Sequence, residues 1–259
     1  MAQLENRGTY TGSAQRTGVA VDEGLRSYML GVYNYMALGV ALTGFIAFAM
    51  TFLTTTADPA LAVATLRNGT MLTEFGRTIY GTPLAYVVML APLAFVMLLS
   101  FRVQKMSTGA AQMAFWLFAG VMGVSLSSIF LRYTGQSITQ VFFATAAAFA
   151  GLSLWGYTTK KDISGWGSFL IMGVIGLIIA CVINIFLQSS ALQFAISAIG
   201  VLVFAGLTAY DTQHIKDTYF VVRGNAELAA KSAIMGALNL YLDFINMFTA
   251  MLNLTGSSE

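Results

Sequence analysis

The sequence has few charged residues, one cysteine and one histidine. Charged residues make up 9% of the 259 residues and hydrophobic residues 57%, whereas a soluble domain carries about 25% charged residues. This deficit excludes an ordinary soluble domain and predicts an integral membrane protein. Because Cys181 is the single cysteine and His214 the single histidine, an intramolecular disulfide and the usual zinc sites are excluded.

The chain also lacks any cluster of basic residues that would bind nucleic acid. Its 13 lysines and arginines are scattered between hydrophobic segments, so we expect no nucleic-acid partner, and the lipid bilayer is the first partner. Residues 1–31 lack the charged start, apolar stretch and cleavage site of a signal peptide. We expect residues 1–21 to form a disordered cytoplasmic tail and residues 22–259 to form a single transmembrane domain.

Long apolar runs are what the sequence has in abundance. Seven of them have roughly the 17–25 residues that a spanning helix needs, namely 32–53, 83–101, 110–131, 138–157, 166–187, 193–213 and 232–254. They predict an all-α fold of seven transmembrane helices. Pro83 lies where the second helix could start, and Pro92 lies inside that helix, where a kink is expected.

The distribution of basic residues predicts the orientation of the seven helices. Three basic residues, Arg67, Arg77 and Arg132, fall on one side of the membrane, and all the other lysines and arginines fall on the side of the N-terminal tail. Since cytoplasmic loops carry the excess of lysine and arginine, the N-terminus is expected in the cytoplasm and the C-terminus outside.

The longest connection, residues 54–82, allows two interpretations. Asp58 and Pro59 suit the N-cap and first turn of a short helix that would end at Leu66. The alternative is an unstructured surface loop.

The last apolar run carries a carboxylate, Asp243, near its middle. Asn239, Asp243, Asn246 and Asn253 are spaced so that all four share one face of a helix. Unpaired polar groups in hydrocarbon are costly, so this face is not expected to meet lipid. The sequence therefore predicts that the last helix is the central one.

Every lysine, arginine and glutamate lies outside the predicted spans or at their edges, and only the carboxylates of Asp211 and Asp243 fall within them. A charge at a helix centre costs roughly 2.5–3.5 kcal/mol on insertion scales. One interpretation is that each is a hydrogen-bonded packing residue. The other is a carboxylate pair, which would meet only if the sixth helix continues past His214 or the seventh begins later.

Such a pair would have two chemical capabilities. Two adjacent carboxylates in a low dielectric do not easily both ionise, so the pair could hold one proton and sense pH. When ionised, Asp211 and Asp243 would offer the hard oxygen ligands that suit Ca²⁺, although further oxygens would have to complete the shell. We therefore expect no tightly bound cofactor, with Ca²⁺ as a permeant or transiently bound ion.

Four other residues are candidates for supporting roles. Asn239 and Asn246 could line a polar path or bind the cation, and hydrogen bonding between helices is their alternative role. Arg102, at the end of the second span, could bias the pair as a cationic latch, or it could be an ordinary positive-inside anchor. His214 titrates in the physiological range and could take part in sensing, or it could simply be interfacial.

Three segments resemble parts of a known family. Gly206–Lys216, GLTAYDTQHIK, and Leu240–Asn246, LYLDFIN, resemble the Bax inhibitor-1 family (the TMBIM group), including its bacterial members. Arg26–Gly44, RSYMLGVYNYMALGVALTG, resembles the first-helix region of the bacterial inner-membrane branch. The resemblance extends over about residues 22–254.

The resemblance implies a seven-helix fold with a central last helix and a Ca²⁺ leak that depends on pH. It implies that Asp211 and Asp243 take the places of the family's di-aspartyl sensor. Arg102 is the match for a second-helix arginine that latches onto the sixth-helix aspartate. The connection Asp217–Lys231 is long for the bacterial relatives.

Three functions compete on these grounds. The first is a pH-gated cation leak channel, chiefly for Ca²⁺, and not an enzyme. The second is a non-conducting regulatory protein that modulates a membrane protease or a stress or cell-death pathway. The third is an intramembrane aspartyl protease, which is disfavoured because Asp243 follows Leu-Tyr-Leu rather than the glycine of that class.

Overall fold

The computed structural model of the chain describes residues 2–66 and 69–257, and the side chains of residues 2–22, Ser100 and Gln104 lie outside the description. Eight α-helices dominate this part of the chain. They are α1 (Ala2–Thr54), α2 (Glu74–Gly81), α3 (Leu84–Arg102), α4 (Thr108–Leu126), α5 (Gly135–Thr158), α6 (Trp166–Leu187), α7 (Ser190–Val222) and α8 (Ala226–Thr255).

All seven predicted apolar runs are helical. Six helices are long and apolar enough to cross a membrane, and the number is seven if α2 and α3, which meet at a 65° bend, form one broken span. The break falls where Pro83 precedes the first residue of α3, as predicted. Pro92 lies inside α3 without ending it, and a kink there stays a prediction.

Several of the helices begin where a short polar side chain caps them. The hydroxyls of Ser107, Thr134 and Ser189 each accept a hydrogen bond from the backbone N–H three residues later, at the starts of α4, α5 and α7. An N-cap of this kind satisfies one of the donors that the first turn leaves unpaired. These caps explain why the apolar runs are divided at these residues.

A small antiparallel sheet interrupts the all-α architecture. Its strands are β1 (Thr55–Thr56), β2 (Ala64–Thr65) and β3 (Met71–Leu72), in the order β1-β3-β2. Both expectations for this connection, a helix ending at Leu66 and an unstructured loop, are therefore wrong. Asp58 instead initiates a turn. Its carboxylate accepts a hydrogen bond from the amide of Ala60, and its backbone carbonyl accepts one from the amide of Leu61.

The last helix is central, as the sequence predicts. In α8, 56% of the spanning stretch is buried, the largest share among the candidate spans, whereas in α6 it is 6%. α8 packs against α7, α1, α5 and α4, and Leu240 and Tyr241 have no exposed surface. The main hydrophobic core of the described residues is thus built around this helix.

The connection between α7 and α8 corrects one expectation. Only residues 223–225 lie between the two helices, so the long connection Asp217–Lys231 is wrong. α7 continues past His214 to Val222, and Asn225 caps α8 by accepting from the amides of Glu227 and Leu228. At 1.5 Å per residue, α7 is about 50 Å long and extends well beyond the roughly 30 Å hydrocarbon layer.

The N-terminal segment was expected to be disordered over residues 1–21. The backbone of α1 is helical from Ala2, but Met1 and the side chains of residues 2–22 lie outside the described part. The disordered tail and the single-domain assignment therefore stay predictions. The same holds for the side of the membrane on which each terminus lies.

Candidate functional site

The structure brings Asp211 of α7 and Asp243 of α8 together. Their carboxyl groups lie within hydrogen-bonding reach of each other. The extension of α7 past His214 is the condition under which the sequence allowed them to meet. A contact of this kind is a hydrogen bond when one of the two carboxyl groups carries a proton.

The two carboxyl groups have different surroundings. Asp243 is 4% exposed, and its Oδ2 atom accepts no hydrogen bond from a described N–H or hydroxyl group. Asp211 is half-buried, and His214 lies three residues further along the same helix. The pair therefore has one inner member with an unsatisfied oxygen and one member that is partly accessible.

A buried hydroxyl contact holds α8 next to Asp243. Tyr241 Oη lies 2.6 Å from Thr43 Oγ1 of α1, and Thr43 Oγ1 donates to the carbonyl of Ala119 in α4 at 2.9 Å. Since the threonine proton is used on Ala119, Tyr241 must be the donor to Thr43. This chain ties α1, α4 and α8 together two residues before the carboxylate.

Residues next to Asp211 hold α7 in the same way. Thr212 Oγ1 lies 2.9 Å from Ser153 Oγ of α5, which in turn accepts from Tyr33 Oη of α1 at 3.2 Å. A Cβ on Gly156 would collide with the backbone of Ala209, so this glycine allows α5 and α7 to approach closely. Both contacts fix the position of the α7 backbone beside Asp211.

Gln213 forms a clamp on the connection between α5 and α6. Its side chain accepts from the amide of Ile163 at 3.0 Å and donates to the carbonyl of Lys161 at 2.9 Å. Sequence reasoning missed this clamp and the Ser153–Thr212 contact. The available signal was the run of polar residues Thr212 and Gln213 directly after Asp211 in an apolar helix.

Arg102 is not placed on the pair. It is exposed at the end of α3, and the only salt bridge among the described residues joins Lys231 to Glu227 at 2.9 Å. α3 packs mainly against α4 and α2 rather than against α7. The latch role of Arg102 therefore stays a prediction for a different arrangement of α3.

His214 is exposed on α7 and stacks against Tyr210. The two ring centroids are 6.0 Å apart and the rings are nearly parallel, at 3°. The imidazole thus lies near Asp211 without being enclosed in the carboxyl pair. Whether it contributes to sensing stays a prediction.

The asparagines of α8 do not share the environment of Asp243. Asn239 and Asn253 are exposed and Asn246 is half-buried. Together with Met235, Leu242 and Thr249, they form the least buried face of α8, at spacings of three and four residues. Neighbouring helices cover the side of α8 that holds Asp243 and leave this face open. The expectation that this face does not meet lipid stays a prediction.

A cavity of about 830 Å³ lies at the end of the bundle where α8 ends. We call it the end cavity, and polar groups lining it are those of Tyr80, Ser125, Ser128, Arg132, Tyr133 and Asn253. Burial raises the pKa of the Tyr133 phenol, and the charge of Arg132 opposes this only in part. Tyr133 thus stays protonated near neutral pH and donates to Asn253 Oδ1 at 2.8 Å.

The described residues contain no group of three or more histidine, cysteine, aspartate or glutamate side chains that could hold a metal ion. Asp211 and Asp243 supply at most four carboxylate oxygens, fewer than the six to eight that Ca²⁺ takes. An ion at this pair would need water or carbonyl ligands as well. The expectation of Ca²⁺ as a transiently bound ion stays a prediction.

Comparison with known proteins identifies the family. The family described as "Inhibitor of apoptosis-promoting Bax1" matches residues 25–259. The chain belongs to the Bax inhibitor-1 family. The predicted resemblance is thereby confirmed, and with its apolar helices the chain is a multi-pass integral membrane protein.

Several bacterial relatives match this Bax inhibitor-1 chain along most of its length. An uncharacterized protein of Caulobacter vibrioides is 46% identical, over 95% of this chain and 94% of the relative. The uncharacterized protein RP147 of Rickettsia prowazekii is 44% identical, over 91% and 92%. The inner membrane protein YbhL of Escherichia coli strain K12 is 41% identical, over 90% and 93%.

Proposed function

We propose that this protein is a pH-sensitive cation leak channel of a bacterial inner membrane, chiefly for Ca²⁺, in which Asp211 and Asp243 form the gate. The observation that carries the proposal is the contact between two carboxyl groups on neighbouring spanning helices, one of them buried on the central helix. The inner-membrane location is supported by the name of the relative YbhL.

The pair can couple protons to cations by simple electrostatics. With one shared proton it has a single negative charge, and with both protons lost it has two charges in a low dielectric. A divalent cation nearby relieves the repulsion in the second state. Protonation and cation entry therefore compete at Asp211 and Asp243, which makes the leak dependent on pH.

The open face of α8 offers a polar route to this gate. Asn246, Thr249 and Asn253 follow one another along the helix, and Asn253 lines the end cavity. An exposed side-chain amide on a spanning helix has a much lower free energy in contact with water than in contact with hydrocarbon. We take this face as the ion path from the end cavity, because at Asn246 it passes within one helical turn of Asp243.

The bent pair α2–α3 is the element best suited to move. It lines the end cavity with residues from both helices, and the chain is bent by 65° at Pro83. Arg102 is exposed and free of a described ionic partner in this structure. A shift of α3 that brings Arg102 towards Asp211 would favour the ionised pair and oppose cation entry.

The direct test is Ca²⁺ flux across a range of pH in liposomes that contain the purified protein. We expect Asp211→Asn and Asp243→Asn to change the flux and to abolish most of its pH dependence. Asp217→Asn is the matched control, because Asp217 is an exposed carboxylate on the same helix. Flux and pH response equal to wild type in both pair variants would contradict the proposal.

The same experiment separates the regulatory alternative. Absence of flux from wild-type protein, together with a co-purified membrane protease or other membrane protein, would favour a non-conducting regulator. The three-residue turn between α7 and α8 leaves little of the contact surface that this function needs there. We also propose that the protein is not an enzyme.

A further inference from the structure

A groove separates α1 from α5 on one side of the bundle. Both helices pack against α7 and α8, and the space left between them has a volume of about 470 Å³. Its walls are almost entirely apolar and include Met29, Met36, Phe149 and Leu154. We call it the α1–α5 groove.

The dimensions of the α1–α5 groove match one leaflet of a bilayer. On α1 its lining runs from Arg26 to Ala37, a rise of about 16 Å at 1.5 Å per residue. That is about half of the roughly 30 Å hydrocarbon layer. Because both walls are spanning helices, the groove runs along the acyl chains of a single leaflet, and a lipid chain is the molecule at hand to fill it.

One end of the groove carries the guanidinium group of Arg26, whose side chain is exposed. Arg26 precedes the apolar run 32–53 by six residues, about 9 Å of helix, which places it on the headgroup side of that run. Tyr157 lies on the opposite wall, and its carbonyl accepts a hydrogen bond from Lys216 Nζ of α7, which also lies 5.6 Å from the Tyr157 ring centroid. Glu23 is the nearest acidic residue along α1 and makes no described salt bridge with Arg26.

The floor of the groove reaches the network beside the carboxyl pair. Tyr33 and Ser153 line the groove, and their hydroxyls are hydrogen-bonded to each other. Ser153 Oγ also contacts Thr212, the residue after Asp211. A molecule in the groove would therefore touch the side chains that position α7 at the pair.

We propose that the α1–α5 groove binds one anionic phospholipid. One acyl chain lies along Met29, Met36 and Phe149, and the headgroup phosphate lies at Arg26. Charge complementarity favours an anionic over a zwitterionic headgroup, since each cation at the surface attracts anionic lipid and leaves a neutral headgroup largely unaffected. This binding does not depend on whether the protein conducts ions.

The test is lipid retention by the full-length protein, measured by native mass spectrometry. The protein is equilibrated in nanodiscs with equal amounts of phosphatidylglycerol and phosphatidylcholine and then released into mild detergent. We expect wild type to retain one phosphatidylglycerol in preference to phosphatidylcholine. Arg26→Gln is expected to lower this preference about fivefold, and Arg26→Lys to keep most of it.

A second variant tests the acyl-chain part of the groove. Ala150→Trp places a large side chain in the groove and is expected to abolish retention of both lipids, whereas Ala148→Trp, at an exposed position of α5 outside the lining, is expected to retain them. Arg223→Gln is the control for charge, because Arg223 is exposed at the end of α7 and does not line the groove.

Two results would overturn the proposal. Equal retention of the two lipids by wild type would show that the groove has no preference for an anionic headgroup. Unchanged retention in folded Ala150→Trp protein would place the lipid elsewhere. If Arg26→Gln fails to insert into the membrane, the comparison of wild type with Arg26→Lys and Ala150→Trp still decides between these outcomes.

Discussion

The helices α6 and α8 show opposite relations between hydropathy and burial. α6 is the most apolar of the six candidate spans and the least buried, whereas α8 is the least apolar and the most buried. In a soluble protein the order would be reversed, because water drives apolar residues inwards. Around a membrane helix the lipid is as apolar as leucine, so polar residues belong inside and apolar surface can remain outside.

The strongest test of this contrast is a charge in the middle of each helix. Ile178→Lys places an ammonium group on the exposed surface of α6 and is expected to oppose membrane insertion by about 2.5–3.5 kcal/mol. Asn239→Lys on the open face of α8 is expected to insert nearly as wild type. The inserted fraction of each full-length variant in membranes measures the difference. Equal losses in both variants would mean that this face of α8 meets lipid.

Truncation of isoleucine compares packing in the two helices without adding charge. Ile234 of α8 is 2% exposed and Ile178 of α6 is 50% exposed. Ile234→Ala is expected to lower the free energy of unfolding by about 2 kcal/mol, the low end of core truncations, because the side chain loses packing partners. Ile178→Ala should change it by less than about 0.5 kcal/mol. Equilibrium unfolding in mixed lipid–detergent micelles would detect this, and similar values for the two variants would contradict the central position of α8.

A smaller effect is expected at the hydroxyl groups of the core. Tyr241→Phe removes the buried donor to Thr43 and should reduce stability by about 1 kcal/mol. Tyr133→Phe removes the more exposed bond to Asn253 and should cost only a few tenths of a kcal/mol. The same unfolding measurement compares the stabilities of the two variants. A larger loss of stability for Tyr133→Phe would show that the hydrogen bond at the end cavity contributes more than the buried one in the core.

The sequence was sufficient for the spans and for the choice of the carboxyl pair. The length of an apolar run and the cost of placing a charge in hydrocarbon depend only on the residues themselves. Both can therefore be assessed from the sequence without knowledge of the fold. The sequence left open whether the sixth predicted helix continues past His214, because the Tyr219–Val222 stretch suits either a helix or a connection. The contacts of Ser153 with Thr212, and of Gln213 with Lys161 and Ile163, could not be predicted, since they join segments that lie some fifty residues apart or more.

The asparagines of α8 show most clearly what could not be predicted from the sequence. Helical spacing places Asn239, Asp243, Asn246 and Asn253 near one face, and this holds for any helix with these residues. Which part of that face is covered depends on where α1, α5 and α7 pack: Asp243 is buried, whereas Asn239, four residues earlier, is exposed.

The sequence by itself determined the membrane-spanning class of this protein, its family and the two carboxylates that cannot be left unpaired in lipid. Hydropathy, motif and desolvation are local properties, and they need no knowledge of neighbours. Only the tertiary structure decided that the two carboxyl groups meet, that Arg102 lies away from them and that α1 and α5 leave a groove. These features depend on how helices distant in the chain pack against each other, and packing is a property of the whole bundle.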